Sequence, residues 1–348
     1  MSEQPILLLP DIHDENYNID DEVYTLIYDI PEPIRSIDWN GNLLALGHKE
    51  GITILAPIPS NSQIAKNFPN KFQQDWIFQI NKISTKSPVN KLRFTSKYLI
   101  SSHEDNSIGI FNQQTGLEIK LNTSIHKDEI NNLDISNNGG FIVVSSDDKI
   151  VSIFDLNKTN NKPIFTIKLD NIPTLIKFWI DNDYDKLIIV ENGNVVKIYN
   201  WKLSKWLISI YPISYSKNLK PFIKDVIILN NKITIIGESG YIKKYDLNNL
   251  KGGAGYTFPN ESFQLSGWLN NSKYISSNSK PLIGGINVDR CSFYDFNTNS
   301  NTHQIYQFKL NLPSLSISSG SINHKGIVAF NSGAKLLLVR PFDSYEVV

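Results

Sequence analysis

Three features of the 348-residue sequence predict an all-β chain folded as a single seven-bladed β-propeller. A pattern of strands and turns returns along the chain. Its period is close to the roughly 40–45 residues of a four-stranded blade, and no long segment shows capped helical periodicity.

In each unit an apolar strand is followed by a short turn and a second strand of Ile, Val, Leu and Ser. A turn with Gly, Asn or Asp comes next, then a third strand ending in an aromatic and Asp or Asn. The clearest copy starts at His126-Lys127-Asp128-Glu129-Ile130 and passes through Leu133-Asp134-Ile135 and Phe141-Ile142-Val143-Val144-Ser145-Ser146. It turns at Asp147-Asp148 and ends with Ile150-Val151-Ser152-Ile153-Phe154-Asp155. Other copies end in Phe111-Asn112, Tyr199-Asn200, Tyr245-Asp246 and Tyr294-Asp295, with weaker first and last copies ending near Leu55 and Val339. From Leu55 to Val339 the intervals between endpoints are 56, 43, 45, 46, 49 and 45 residues, which define seven units. A polar insertion from Pro59 to Lys71, ahead of the strand Trp76-Ile77-Phe78, accounts for the longest interval. Second strands such as Lys186-Leu187-Ile188-Ile189-Val190 are nearly continuous apolar runs, the pattern of strands buried on both faces.

Strand counting also predicts how the ring closes. The last unit has Leu315-Ser316-Ile317, Ile327-Val328-Ala329-Phe330 and Leu336-Leu337-Leu338-Val339 but no fourth strand, whereas Glu22-Val23-Tyr24-Thr25-Leu26-Ile27-Tyr28 stands spare before the first unit. Pairing this N-terminal strand with the last unit removes two open sheet edges. The expected organisation is an acidic flexible leader over 1–20, the propeller over 21–342 and a short tail over 343–348, with no linker or second domain. The leader reads as a solvated arm, with Ile6 to Leu9 as a docking motif the alternative.

Composition narrows the function. Lys+Arg and Asp+Glu are 34 each, a balance that disfavours direct nucleic-acid binding, which calls for a basic excess or stripe. Arg35, Arg93, Arg290 and Arg340 are the only arginines, too few for bidentate reading of phosphate. Cys291 is the single cysteine, so no intrachain disulfide forms and a reducing compartment is the simplest expectation. Met1-Ser2-Glu3-Gln4-Pro5 lacks a basic n-region, and no run approaches the roughly 18 apolar residues of a membrane span, so neither a signal peptide nor membrane insertion is expected.

Catalytic, cofactor and metal motifs are not expected either. Asp181-Asn182-Asp183-Tyr184-Asp185 mimics a calcium loop, but Lys186 and Asn192 stand where glycine and glutamate are required. His13, His48, His103, His126, His303 and His324 never fall in metal-ligand spacing. Gly237-Glu238-Ser239-Gly240 lacks the spacing of a nucleophile elbow and reads as a turn. Three tryptophans are candidate partner-binding anchors: Trp76 on the strand after the insertion, and Trp201 and Trp206 flanking the outer strand of the fourth unit. The alternative for each is packing against the neighbouring blade.

With Ser145-Ser146-Asp147-Asp148 ahead of Ile150-Val151-Ser152-Ile153-Phe154-Asp155, the third unit resembles a degenerate WD40 repeat. His126 stands at the family's structural histidine, Asp147 or Asp148 at its aspartate, and Phe154 replaces its tryptophan. The resemblance implies a structural blade network for His126, Asp147 and Phe154, since the family's His, Ser or Thr, and Asp hydrogen-bond inside a blade.

The fourth unit, Lys186-Leu187-Ile188-Ile189-Val190-Glu191-Asn192-Gly193-Asn194-Val195-Val196-Lys197-Ile198-Tyr199 with Trp179 ahead of it, resembles the smallest WD-repeat nucleoporins of the Y-shaped nuclear pore scaffold. The likeness extends to His126–Asp155 and to Gly333-Ala334-Lys335-Leu336-Leu337-Leu338 after Ile327-Val328-Ala329. It implies a non-enzymatic structural protein at the nuclear envelope, in the nuclear pore complex. That protein would be a monomer within a hetero-oligomer, docked on a large propeller-solenoid nucleoporin of the Y-complex short arm near an ELYS-type nucleoporin. Competing readings are a WD40 adaptor of a ubiquitin ligase or chromatin complex, a phosphoinositide-binding autophagy propeller and a propeller enzyme. Scarce arginine weighs against the first, the lack of adjacent arginines against the second, and the lack of convergent carboxylates or metal ligands against the third.

Overall fold

The computed structural model describes residues 24–340 apart from 58–76, 114–117, 180–184, 213–221, 270–279, 296–302, 310–316, 323–327 and several shorter turns; between 252 and 319 the description is of the backbone. Among the described residues every regular element is a strand, and the strands form four-stranded antiparallel sheets. The first holds β2 (Ser36–Asn40), β3 (Leu43–His48), β4 (Gly51–Pro57) and β5 (Ile77–Ser84). The second holds β6 (Val89–Phe94), β7 (Tyr98–His103), β8 (Ile108–Asn112) and β9 (Glu118–Lys120). The third is β10 (Ile130–Ile135), β11 (Phe141–Ser146), β12 (Ile150–Asp155) and β13 (Pro163–Lys168), and the fourth is β14 (Pro173–Phe178), β15 (Lys186–Glu191), β16 (Val195–Asn200) and β17 (Lys205–Ile210). The fifth is β18 (Ile223–Leu229), β19 (Lys232–Gly237), β20 (Tyr241–Asp246) and β21 (Gly252–Thr257). A further ladder joins β22 (Ser262–Leu269), β23 (Lys280–Asn287), β24 (Arg290–Asp295) and β25 (His303–Lys309). The closing sheet is composite. In it β26 (Ile317–Ile322), β27 (Val328–Ser332) and β28 (Lys335–Arg340) are completed by β1 (Tyr24–Asp29), which pairs with β28 from Tyr24↔Arg340 to Asp29↔Lys335.

Successive residues on a strand point to opposite faces, and here each face meets a different neighbouring blade. On β15, Leu187 and Ile189 pack with Val143, Val151 and Ile176 toward the third blade, while Ile188 and Val190 pack with Val226, Ile233 and Ile235 toward the fifth. On β3, Leu44 and Leu46 meet Ala329, Leu336 and Leu338 of the closing blade, and Ala45 meets Val89, Leu92 and Leu99 of the second. The inner strands are apolar on both faces for this reason.

The expectation of a seven-bladed propeller is corrected to six blades with a described core. Six sheets carry a core whose side chains are among the described residues; the β22–β25 unit is a hydrogen-bonded ladder in which the backbone alone is described. The β23 strand of that ladder differs in composition from its counterparts. By cross-strand register, Gly284 and Gly285 of β23 occupy the places held by Val143 and Val144 in β11 and by Ile188 and Ile189 in β15. Periodicity counts strands, and a strand whose centre is two glycines contributes no side chains there to a core.

Charged side chains tie the inner strands to one another. Asp38 on β2, Arg93 on β6, Asp134 on β10, Lys177 on β14 and Asp225 on β18 alternate in sign from blade to blade. The Arg93 Nε donates to Asp134 Oδ1 at 3.2 Å, and Lys177 pairs with Asp225. The acids reach the next blade's backbone: the Phe94 N–H donates to Asp38 at 2.8 Å and the Phe178 N–H to Asp134 at 2.9 Å. On the other side of β2, the Ser321 hydroxyl of β26 donates to Asp38 at 3.2 Å. Burial pushes the Asp38 carboxyl above the usual carboxylate range, against the pull of Arg93 and the hydrogen bonds.

Candidate protein-interaction surface

Among the described residues, the large apolar side chains that stand exposed are Ile172, Leu203, Trp206, Leu207, Tyr211 and Phe222. All fall on the fourth blade or the chain leading into the fifth. The outer strand β17 is paired with β16 on one side and ends the sheet on the other. It is irregular: Ile198 faces Ile208 and Tyr199 faces Trp206, so Leu207 is an extra residue in the ladder. Such a bulge re-aims side chains and increases local twist, and here Trp206 and Leu207 are both exposed, at 39% and 41%.

The aromatic layer beneath explains why Trp206 is held where it is. Its ring meets Tyr199 edge-on at 4.7 Å between centroids, and Tyr199 in turn lies 6.0 Å from Phe165 of β13. Lys197 Nζ stands 5.0 Å over the Trp206 ring while binding both oxygens of the buried Glu191 at 2.9 Å. The indole is thus fixed from two sides with its outer face in water. At the other end of the strand, Tyr211 follows β17 and Phe222 precedes β18. The Phe222 ring lies over Gly193, where an added Cβ would come within 2.3 Å of it. Gly193 also has a φ of +68°, so glycine is required twice over.

The three tryptophans singled out by sequence have different fates. Trp206 is exposed. Trp201 is only 9% exposed and packs against Phe141 at 5.7 Å and Phe165 at 6.0 Å, in the seam between the third and fourth blades. Trp76 lies outside the described residues.

The blade network at His126 is built as follows. The ring sits inside the third blade, and its Nε2 is 2.6 Å from the Ser152 hydroxyl. Its Nδ1 faces Asp148 at 3.8 Å, beyond hydrogen-bond reach. Asp148 caps the turns around it, accepting from the Lys127 N–H at 2.8 Å and the Ile150 N–H at 2.8 Å. Asp147 instead accepts from the Asn131 amide at 2.7 Å, and Phe154 is fully buried between the second and third blades. Two further buried histidines repeat this theme and were not singled out by sequence. His48, closing β3, is 2.9 Å from Thr53; His103, closing β7, is 2.9 Å from Ser101 and 2.8 Å from Ser107. Their shared place at the end of a second strand, followed by Lys49-Glu50 or Glu104-Asp105, is the signal that a blade-by-blade alignment would reveal. Burial holds all three imidazoles below the usual histidine range, with the neighbouring carboxylates of Asp148, Glu32 and Asp105 pulling the other way.

No group of three or more His, Cys, Asp or Glu among the described residues is placed to hold a metal, and no described helix is long and apolar enough to cross a membrane.

Comparison with known proteins agrees with this architecture. The family model "WD domain, G-beta repeat" matches residues 119–155, the span that holds His126, Asp148 and Phe154. No curated protein matches the sequence. Among solved structures, a chain of the crystal structure of the mitotic checkpoint complex is similar with a TM-score of 0.68 at 12% identity, covering 91% of this chain and 93% of that one. The WD40 β-propeller domain of Doa1 is similar with a TM-score of 0.66 at 11% identity, covering 92% and 96%. At such identities the likeness is one of fold. The protein is an all-β propeller carrying a WD40 repeat in its third blade, a fold suited to protein–protein interaction.

Proposed function

We propose that the chain is a structural nucleoporin, a propeller that docks on a larger propeller-solenoid scaffold protein of the nuclear pore Y complex. The observation that carries the interaction role is the gathering, among the described residues, of the exposed large apolar side chains on one blade, Leu203, Trp206, Leu207 and Tyr211 with Ile172 and Phe222 beside them. A protein without a partner rarely leaves such side chains together in water. The nucleoporin reading is supported by the resemblance of the fourth unit, of His126–Asp155 and of the last unit to the small WD-repeat nucleoporins, and by zero net charge. On this reading residues 21–342 are the docking domain, and the protein resides at the nuclear envelope as one subunit of a hetero-oligomer.

Fluorescent tagging in the native cell tests it. A punctate nuclear rim, with recovery of scaffold nucleoporins on affinity purification, supports the reading. Diffuse cytosol with recovery of a ubiquitin-ligase or chromatin subunit replaces it with the adaptor.

A further inference from the structure

We infer that the outer edge of the fourth blade is the docking groove, and that its occupant is an extended, acidic and apolar segment of a partner protein laid along β17. The inference rests on the interaction role above but is independent of which assembly the protein joins.

Three observations converge. The first is an edge that no described strand pairs with. β17 ends its sheet, so a row of backbone N–H and C=O groups faces outward, the template for strand addition by an extended peptide. The second is the distribution of apolar surface along that edge. Leu203 in the turn before β17 is 70% exposed, Trp206 and Leu207 follow on the strand, and Tyr211 just beyond it is 66% exposed. An extended peptide places alternate side chains on one face, and these four residues offer it successive apolar contacts. Trp206 is the natural centre, because its ring is already fixed by Tyr199 and Lys197 and little side-chain freedom is lost on binding.

The third observation sets the sign of the partner. Among the described residues, Lys202 and Lys205 stand exposed around Leu203 and Lys224 lies over Phe222, while the charge of Lys197 over Trp206 is spent on Glu191. Among the described residues, two acids of this blade are engaged inside it. Glu191 is buried against Lys197, and Asp185 is held by Lys186 and the Asn200 amide. A basic border around an apolar centre selects a segment with Asp or Glu beside its apolar residues and rejects one with Lys or Arg.

The test uses the full chain and two synthetic decapeptides, end-capped and fluorescently labelled, one alternating leucine with glutamate and the other leucine with lysine. Fluorescence anisotropy should show the glutamate peptide binding at least 10-fold more tightly than the lysine peptide. The triple variant Leu203→Ser, Trp206→Ala, Leu207→Ser should lose that binding at least 10-fold with an unchanged circular-dichroism spectrum. The milder Lys202→Glu, Lys205→Glu variant, which leaves the aromatic layer intact, should narrow or reverse the preference between peptides. Equal binding of both peptides, or unchanged binding by both folded variants, overturns the inference. Loss of nuclear-rim localisation with peptide binding intact would instead remove the nucleoporin reading alone.

Discussion

Arg93 on β6 and Asp134 on β10 meet at 3.2 Å across the boundary between two blades, and the same carboxylate accepts the Phe178 N–H of a third. One acid thus links three consecutive blades. Both side chains are partly screened from water, at 32% and 17% exposure. Arg93→Leu is expected to lower unfolding stability by about 2 kcal/mol, below the roughly 3–5 kcal/mol of a fully buried pair because of that residual solvent. Chemical denaturation of Arg93→Leu, Asp134→Asn and the double variant checks it. Additive losses would show that the two residues are not coupled.

Acid should destabilise the protein before its carboxylates titrate. His48, His103 and His126 are held neutral by burial, with pKa values below the unfolded histidine's. As pH falls through about 6.5 the unfolded chain gains protons that the folded chain refuses, so stability is fully present above that range and declines below it. Thermal melts from pH 8 to pH 5.5 should show a falling Tm, less steep in a His126→Gln variant. A flat profile would contradict the assignment.

Closure by β1 predicts a sharp boundary. Removing residues 1–20 should leave the melting temperature unchanged, whereas removing 1–29 takes away the partner of β28 and exposes its edge. The longer deletion should aggregate or melt far lower in light-scattering and thermal assays. Equal melting of the two truncations would mean that the β1–β28 ladder contributes little.

Phe154 fills the space between the second and third blades with no exposed surface. Phe154→Ala should cost about 3–5 kcal/mol. Phe154→Trp, although it restores the residue typical of the WD40 repeat, should cost about 1–3 kcal/mol by overpacking. Urea midpoints distinguish the two, and a stabilising tryptophan would show that the site has room to spare.

How far the sequence could be read depended on whether the signal was local. Strand placement was legible because each strand announces itself: Phe141–Ser146 and Lys186–Glu191 lie where the apolar runs do. The spare N-terminal strand was legible by counting. The blade count was not: strand spacing makes the β22–β25 ladder look like the other units, although Gly284 and Gly285 stand where those carry Val or Ile. The charged belt of Asp38, Arg93, Asp134, Lys177 and Asp225 was hidden for another reason. Its members lie some 40–55 residues apart, and only register shows that they are equivalent. Trp201 and Trp206 looked alike in sequence, and only the position of Phe141 and Phe165 in the preceding blade buries one and leaves the other in water.

The β1–β28 pair also dictates an order of events during synthesis. Tyr24 leaves the ribosome before Arg340, so the two strands that share a sheet are separated by the synthesis of every blade between them. Blades two to five can each zip up from neighbouring strands as they emerge, but the closing blade must wait for its oldest and youngest segments to meet. Among the described residues that meeting is the longest-range strand pairing and the one most delayed by chain entropy. Until it forms, β28 presents an unpaired edge to anything nearby. A nascent-chain chaperone that shields Tyr24–Asp29 or Lys335–Arg340 would therefore govern the yield of native protein more than one acting on any internal blade.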